Sequence, residues 1–377
     1  MQAMEIRTSY NKTSHLLNPQ RWTKEKGELS AVGTVAAVAL SAYSKFSEAL
    51  YYTGLTVEAL INEQNHLPLS DEIAQLDQMR RGLKSFHRVH TTSNLPLGEA
   101  NPLKDLPKAE ISKPVLLVPG WDTPHDRFSP LTDKLTEDGA NGGQPYYLQN
   151  GEFFADRDCN VPTEVPKDAK VFVTVFHSTS ESPHTTAPQL AANLQAMARV
   201  TGEKKPDVMA FSQGGLATRT YLGQNEENQI GKILFVGTPN LGAGLASLCN
   251  FVYQLADRDF DVDYLMHTQG LDPQDRQSIE FMTVGGPDLE ALNANWDSQM
   301  AKTDGFAIVG HKGTPTFHFG TPPWAPGDSL VEATHLGPEN VERTYVEGDW
   351  AKHGTLPFNA GTYQKMHQHF GWAATTA

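Results

Sequence analysis

The 377-residue sequence predicts an α/β protein with a mostly parallel central sheet, and three observations carry that reading. Short β-branched apolar runs recur at 114–118, 171–176, 207–211, 232–237 and 305–309. Helical spacing lies between them; at 188–200, for instance, Leu190, Leu194, Met197 and Val200 share one face. The length suits one large domain with an appendage, and strands alternating with helices imply a sheet covered on both faces.

Taken in order, the chain opens with a different texture. Over 30–53, Val32, Val35, Ala36, Ala39, Tyr43, Phe46 and Leu50 recur at spacings of three and four and predict an amphipathic helix. Its small-residue run at 31–42 fits close helix packing better than membrane insertion. Ser70, Asp71 and Glu72 open a second helix, continued by Ile73, Leu76, Met79, Leu83 and Phe86. Residues 28–90 therefore form a helical unit and 91–113 a Pro-, Asn- and Ser-rich connector. The expected division is an N-terminal helical extension, 1–110, and a catalytic domain, 111–377.

Composition removes several classes of function. Thirty basic and forty-four acidic residues give a net charge of −14, against nucleic acid as a partner and against general attraction to anionic membranes. Cys159 and Cys249 lie in no Cys-x-x-Cys or Cys/His cluster, so neither a zinc site nor a disulfide framework is expected, with one disulfide left open. Residues 1–22 lack the apolar core of a secretory signal, and no apolar stretch is long enough to span a bilayer. A cytoplasmic location or export by a signal-independent route is expected; an already processed chain would look the same.

The chemistry centres on Asp207-Val-Met-Ala-Phe-Ser212-Gln-Gly-Gly-Leu-Ala, an apolar strand, a small-residue turn and a helix. A serine nucleophile on such a turn sits in a strained conformation and leaves no room for bulk two positions either side; Ala210 and Gly214 occupy those positions. The bland alternative makes Ser212 a helix N-cap. Beyond these residues, Gln189-Leu-Ala-Ala-Asn-Leu before the turn and Val236-Gly-Thr-Pro-Asn-Leu-Gly-Ala243 after it resemble, in order, segments of bacterial lipases of the α/β-hydrolase superfamily. The resemblance covers about 113–359. It implies an α/β-hydrolase fold with a mostly parallel central sheet and an inserted helical cap or lid.

Residue by residue, the resemblance implies more. The apolar strand ending in Pro119-Gly120-Trp121 matches the loop that supplies one oxyanion-hole donor, with Pro119 where these lipases carry His. By position the two backbone N–H donors are those of Trp121 and Gln213. Pro326-Gly-Asp-Ser-Leu-Val331 resembles their Asp-Gly-x-Val turn, with Ser329 replacing Gly, and makes Asp328 the orienting carboxylate; Asp288, Asp297 and Asp304 are its rivals, and a plain turn role is its bland alternative. Trp350-Ala-Lys-His353 resembles their Trp-x-x-His and makes His353 the base, ahead of His335, His367 and His369. Gly354, Thr355 and Leu356 follow where some of these lipases bind calcium through an Asp, so no metal of that kind and no cofactor is expected.

Residues 244–300 are too long for a simple connection and carry apolar Leu245, Leu248, Phe251, Val252, Leu255, Phe260, Tyr264 and Leu265. They are expected to form the lid, in transient contact with a lipid interface, or else a buried helical layer. The expected activity is serine carboxylic-ester hydrolysis, with lipid or other ester substrates and an acyl-enzyme intermediate. A phospholipase or an acyltransferase would use the same triad, and an inactive binding protein on a hydrolase scaffold is the reading from another class. The oligomeric state is left open.

Overall fold

The computed structural model describes residues 102–121, 123, 127–250, 275–319, 324–348 and 350–375. The helical unit expected at 28–90 and the middle of the expected lid, 251–274, lie outside the described residues.

The frame is an eight-stranded sheet. Its strands are β2 (Val115–Val118), β3 (Tyr146–Gln149), β4 (Glu152–Phe154), β5 (Val171–Thr174), β6 (Asp207–Phe211), β7 (Lys232–Val236), β8 (Gly305–Gly310) and β11 (Arg343–Tyr345), in the order β11-β8-β7-β6-β2-β5-β3-β4. All neighbours run parallel except the β3–β4 edge hairpin. Outside the sheet, β1 (Lys108–Glu110) pairs with β12 (Ala373–Thr375), and β9 (Thr314–Phe317) with β10 (Trp324–Gly327), both antiparallel. Every residue of β2, β5 and β6 is buried, which is why these strands read as continuous apolar runs rather than alternating ones.

The described helices are α1 (Ser129–Leu135), α2 (Pro183–Thr201), α3 (Gln213–Gln224), α4 (Asp275–Phe281), α5 (Pro287–Asn293), α6 (Trp296–Met300) and α7 (Ala360–Phe370), with residues 244–250 also helical. Leu116, Val118, Val208 and Ala210 face α2, α3 and α6 through Leu190, Leu194, Met197, Ala217, Tyr221 and Trp296. Val115, Leu117, Met209 and Phe211 face α1 and α7 through Leu131, Leu135, Tyr363, Met366 and Phe370. Alternate residues of one strand thus feed two separate cores. Helix α2 begins at Pro183, five residues ahead of the expected 188, because Pro183 serves as its first residue and Pro188 is carried inside.

From β2 the chain builds β3, β4 and β5 on one side, then crosses to β6 and builds the rest on the other. In open parallel sheets the crevice for chemistry lies outside the carboxyl ends of the strands at such a reversal. Strand order, two helical layers and the turn after β6 together make this an α/β-hydrolase fold.

The expected insertion at 244–300 divides. Trp296 on α6 packs on Phe235 of β7 at 6.2 Å between ring centroids, so α5 and α6 form a helical layer over α3 and the sheet. Apolar spacing alone does not tell a cap from such a layer. Cys159 and Cys249 are both free.

Candidate active site

The turn from β6 into α3 holds Ser212 at φ 52°, ψ −130°, a backbone conformation that costs a non-glycine residue about 1–3 kcal/mol. Contacts on every side hold it. Its N–H donates to Val236 O at 2.9 Å, and its carbonyl accepts from Gly215 N–H at 2.9 Å. A Cβ on Gly120 would stand 2.5 Å from Ser212 Cβ, so the Pro119-Gly120-Trp121 turn lies directly against the serine. The helix N-cap reading of Ser212 fails in one respect: its side chain makes no capping hydrogen bond.

That hydroxyl points to histidine instead. His353 Nε2 lies 2.9 Å from Ser212 Oγ, and His353 Nδ1 lies 2.8 Å from Asp328 Oδ2. All three side chains are buried, and the ring of His353 packs 5.0 Å from that of Phe211. The carboxylate divides its two oxygens. Oδ1 accepts from Leu330 N–H at 3.0 Å and Val331 N–H at 2.8 Å, while Oδ2 faces the imidazole. The Asp328 carboxylate therefore braces its own turn with one oxygen and faces the imidazole with the other. The backbones are tied too, His353 N–H donating to Asp328 O at 2.8 Å. Gly237, at φ 57°, runs beneath the pair; a Cβ there would come within 3.2 Å of Asp328 Oδ2 and 3.3 Å of His353 Cε1.

Trp121 lines the pocket above Ser212, and Gln213 is the first residue of α3. A helix leaves its first N–H groups without intrahelical partners and concentrates positive potential there, which suits a developing oxyanion. The Gln213 side chain turns away, its Nε2 donating to Glu181 O and to Ser278 Oγ on α4.

The rivals stand elsewhere. Asp304 pairs with Lys205 at 3.2 Å, Asp288 with His184 at 3.4 Å, and Asp297 is exposed. His367 and His369 sit on α7, and His335 faces Glu332.

Of the pocket's other members, sequence reasoning named Leu245 and missed the rest. Leu245, Ala246, Cys249, Ile279 and Met282 form an aliphatic wall, and Arg127 ties the loop after His353 by donating to Gly354 O at 2.8 Å. Burial pushes the Cys249 thiol up to about 12, so it stays protonated and offers no competing nucleophile. Among the described residues no three His, Cys, Asp or Glu side chains are gathered to hold a metal ion, and no helix is long and apolar enough to cross a membrane.

One family model matches, a domain of unknown function named DUF7379, over residues 162–301. That span includes Ser212 and Gln213 but neither Trp121 nor Asp328 and His353. No curated protein matches the chain. Among solved structures, lipase BlEst2 of Bacillus licheniformis in its propeptide form is 15% identical with a TM-score of 0.47, over 70% of this chain and 51% of that one. The match thus spans about half of that protein's length. The mature form gives 14%, a TM-score of 0.45 and coverages of 71% and 94%. The lin2722 gene product of Listeria innocua gives 15%, 0.44, 68% and 93%. The α/β-hydrolase fold rests on the strand order and the turn at Ser212.

Proposed function

We propose that the chain is a serine carboxylic-ester hydrolase acting on apolar acyl esters, lipid esters included. The observation that carries this is the continuous relay from Ser212 Oγ through His353 to Asp328 at a strained turn. A serine hydroxyl is a poor nucleophile at neutral pH until a base accepts its proton, and a base works only in the right tautomer. Asp328, accepting from Nδ1–H, leaves Nε2 free to take the hydroxyl proton as Ser212 attacks the ester carbonyl.

The tetrahedral oxygen gains charge beside the backbone N–H groups of Trp121 and Gln213. His353 then returns the proton to the departing alcohol and leaves Ser212 acylated. Water, activated by the same imidazole, releases the acid. The aliphatic wall of Leu245, Ala246, Ile279 and Met282 favours an uncharged acyl group, and residues 244–250 and α4, which carry most of it, act as part of the lid.

A fluorophosphonate probe tests the chemistry. Covalent labelling at Ser212, absent in Ser212→Ala, with turnover of p-nitrophenyl esters, is the expected result. Neither labelling nor turnover would transfer the chain to the inactive-scaffold reading. Products formed with an added alcohol present separate hydrolysis from acyl transfer.

A further inference from the structure

Glu332 is a fully buried carboxylate that the hydrolysis above does not use. Taking a carboxylate out of water costs several kcal/mol unless hydrogen bonds and counter-charges replace its hydration. Three groups face it. Gly244 N–H donates to Oε2 at 3.3 Å, His335 Nδ1 lies 3.2 Å from Oε2, and His318 Nδ1 lies 3.5 Å from Oε1. Oε1 makes no hydrogen bond within the described residues. An acid kept at so incompletely satisfied a position calls for a reason beyond stability.

Its location supplies one. Glu332 closes the turn that begins at Asp328: Val331 N–H donates to the Asp328 carboxylate, Gly327 and Glu332 form an antiparallel bridge, and Glu332 O accepts from His335 N–H at 2.8 Å. On the other side, Gly244 opens the helical segment that carries Leu245, Ala246 and Cys249 into the pocket wall. The contact leaves no slack. A Cβ on Gly244 would stand 2.6 Å from Glu332 Oε1 and 2.7 Å from Phe317 O. A single carboxylate therefore joins the turn that orients the base to the wall that faces the acyl group.

We propose that Glu332 is a positioning residue: it pins the start of the wall helix at Gly244 to the Asp328 turn, and so fixes which acyl chains the pocket accepts. The kinetic half of this rests on the ester-hydrolase reading, and the pinning itself does not.

Cys249 reports the wall directly, since it is buried on that helix. In a Cys159→Ser background, which removes the more exposed thiol, the rate of Cys249 modification by iodoacetamide is compared in wild type, Glu332→Ala and Glu332→Gln. Glu332→Ala is expected to raise it at least tenfold, beyond what the measured global unfolding equilibrium allows. Glu332→Gln, which keeps an oxygen for Gly244 N–H, stays within threefold. In parallel, Glu332→Ala raises KM for p-nitrophenyl decanoate about tenfold while kcat and the KM for the acetate ester stay within threefold.

If Glu332→Ala does not fold, Gly244→Ala forces the same contact from the other side and is expected to expose Cys249 equally. Unchanged Cys249 protection overturns the proposal, as does equal loss in the Ala and Gln variants. So does a kcat fall uniform across chain lengths. If no ester is turned over by wild type while Cys249 responds as expected, the hydrolase reading fails and the pinning stands.

Discussion

Gly214→Ala probes how the proposed oxyanion hole is held together. A Cβ at this position would lie 2.3 Å from Pro119 O, 2.8 Å from Val118 O and 3.0 Å from Pro119 C. These are backbone atoms, which cannot rotate aside. Against an ordinary contact of 3.4 Å the intrusion is about 1 Å, so the start of α3 and the end of β2 must separate by roughly that much. Overpacking of this kind costs about 1–3 kcal/mol, and the helix propensity of Ala returns up to about 1 kcal/mol. The expected net loss of stability is about 1–2 kcal/mol.

The activity should suffer more, because Trp121 and Gln213, the two proposed donors, stand on the two sides being driven apart. A displacement of about 1 Å at a reacting centre costs on the order of 100-fold, and outright loss of one donor roughly 100- to 1,000-fold in kcat. Gly223→Ala is the internal control. It lies on the same helix, its nearest neighbour would be Gln299 Nε2 at 3.8 Å, and it should stabilise by about 0.5–1 kcal/mol with unchanged kcat. The assay is p-nitrophenyl butyrate turnover, the fluorophosphonate labelling rate and Tm. Labelling of Gly214→Ala at the wild-type rate with wild-type Tm would refute the steric argument.

Three further outcomes are expected. Asp328→Asn keeps an oxygen for Leu330 and Val331 N–H but no longer holds the His353 tautomer, so kcat should fall about 10⁴-fold in steady-state assays with little change in Tm. Ser329 sits at φ 90°, and Ser329→Gly should relieve that strain for a net gain of about 0.5–1 kcal/mol, read as a Tm rise of about 1–3 °C. Burial, assisted by Lys232, pulls His369 down to about 4. The unfolded chain therefore takes up this proton first, and the contribution of His369 is whole above about pH 6.5 and lost as pH falls toward 4. Discounted for the solvent that screens a half-buried ring, it amounts to about 1–2 kcal/mol, and Tm measured in His369→Gln should decline less over that window.

The central strands were legible because burial on both faces demands unbroken apolar runs. The edge was not read, although Tyr146-Tyr-Leu-Gln-Asn-Gly-Glu-Phe-Phe154 contains the Asn-Gly pair that marks a tight hairpin. Asn150 and Gly151 do take positive φ there, 49° and 84°. The residues proposed as the triad were legible as separate motifs, since each depends on local turn chemistry. What no local pattern reveals is Glu332 and Arg219, because charged residues read as surface until long-range contacts bury them. The same limit applied to α5 and α6, whose apolar spacing fits a lid as well as a core layer.

Arg219 ties the helix that follows the strained serine to its surroundings. It is fully buried with no carboxylate in reach of its fork among the described residues: Nε donates to Gln299 Oε1 at 3.0 Å, Nη1 to Asn240 Oδ1 at 3.1 Å and Nη2 to Leu292 O at 3.1 Å, and its Cζ lies 4.4 Å from the Trp296 ring centre. Burial lowers it to about 9, which leaves it charged at neutral pH. Neutral acceptors repay little of the desolvation cost, so stability alone does not explain a cation here. Geometry does. A rigid guanidinium spans α3, α5, α6 and the loop after β7 in one plane, which a single-point ammonium cannot do. That fixes α3, and with it the turn at Ser212, relative to the strand end where Gly237 runs beneath Asp328 and His353. The guanidinium stands two helical turns from Ser212, so the helix that begins beside the serine is tied to α5, α6 and the loop after β7 by one side chain.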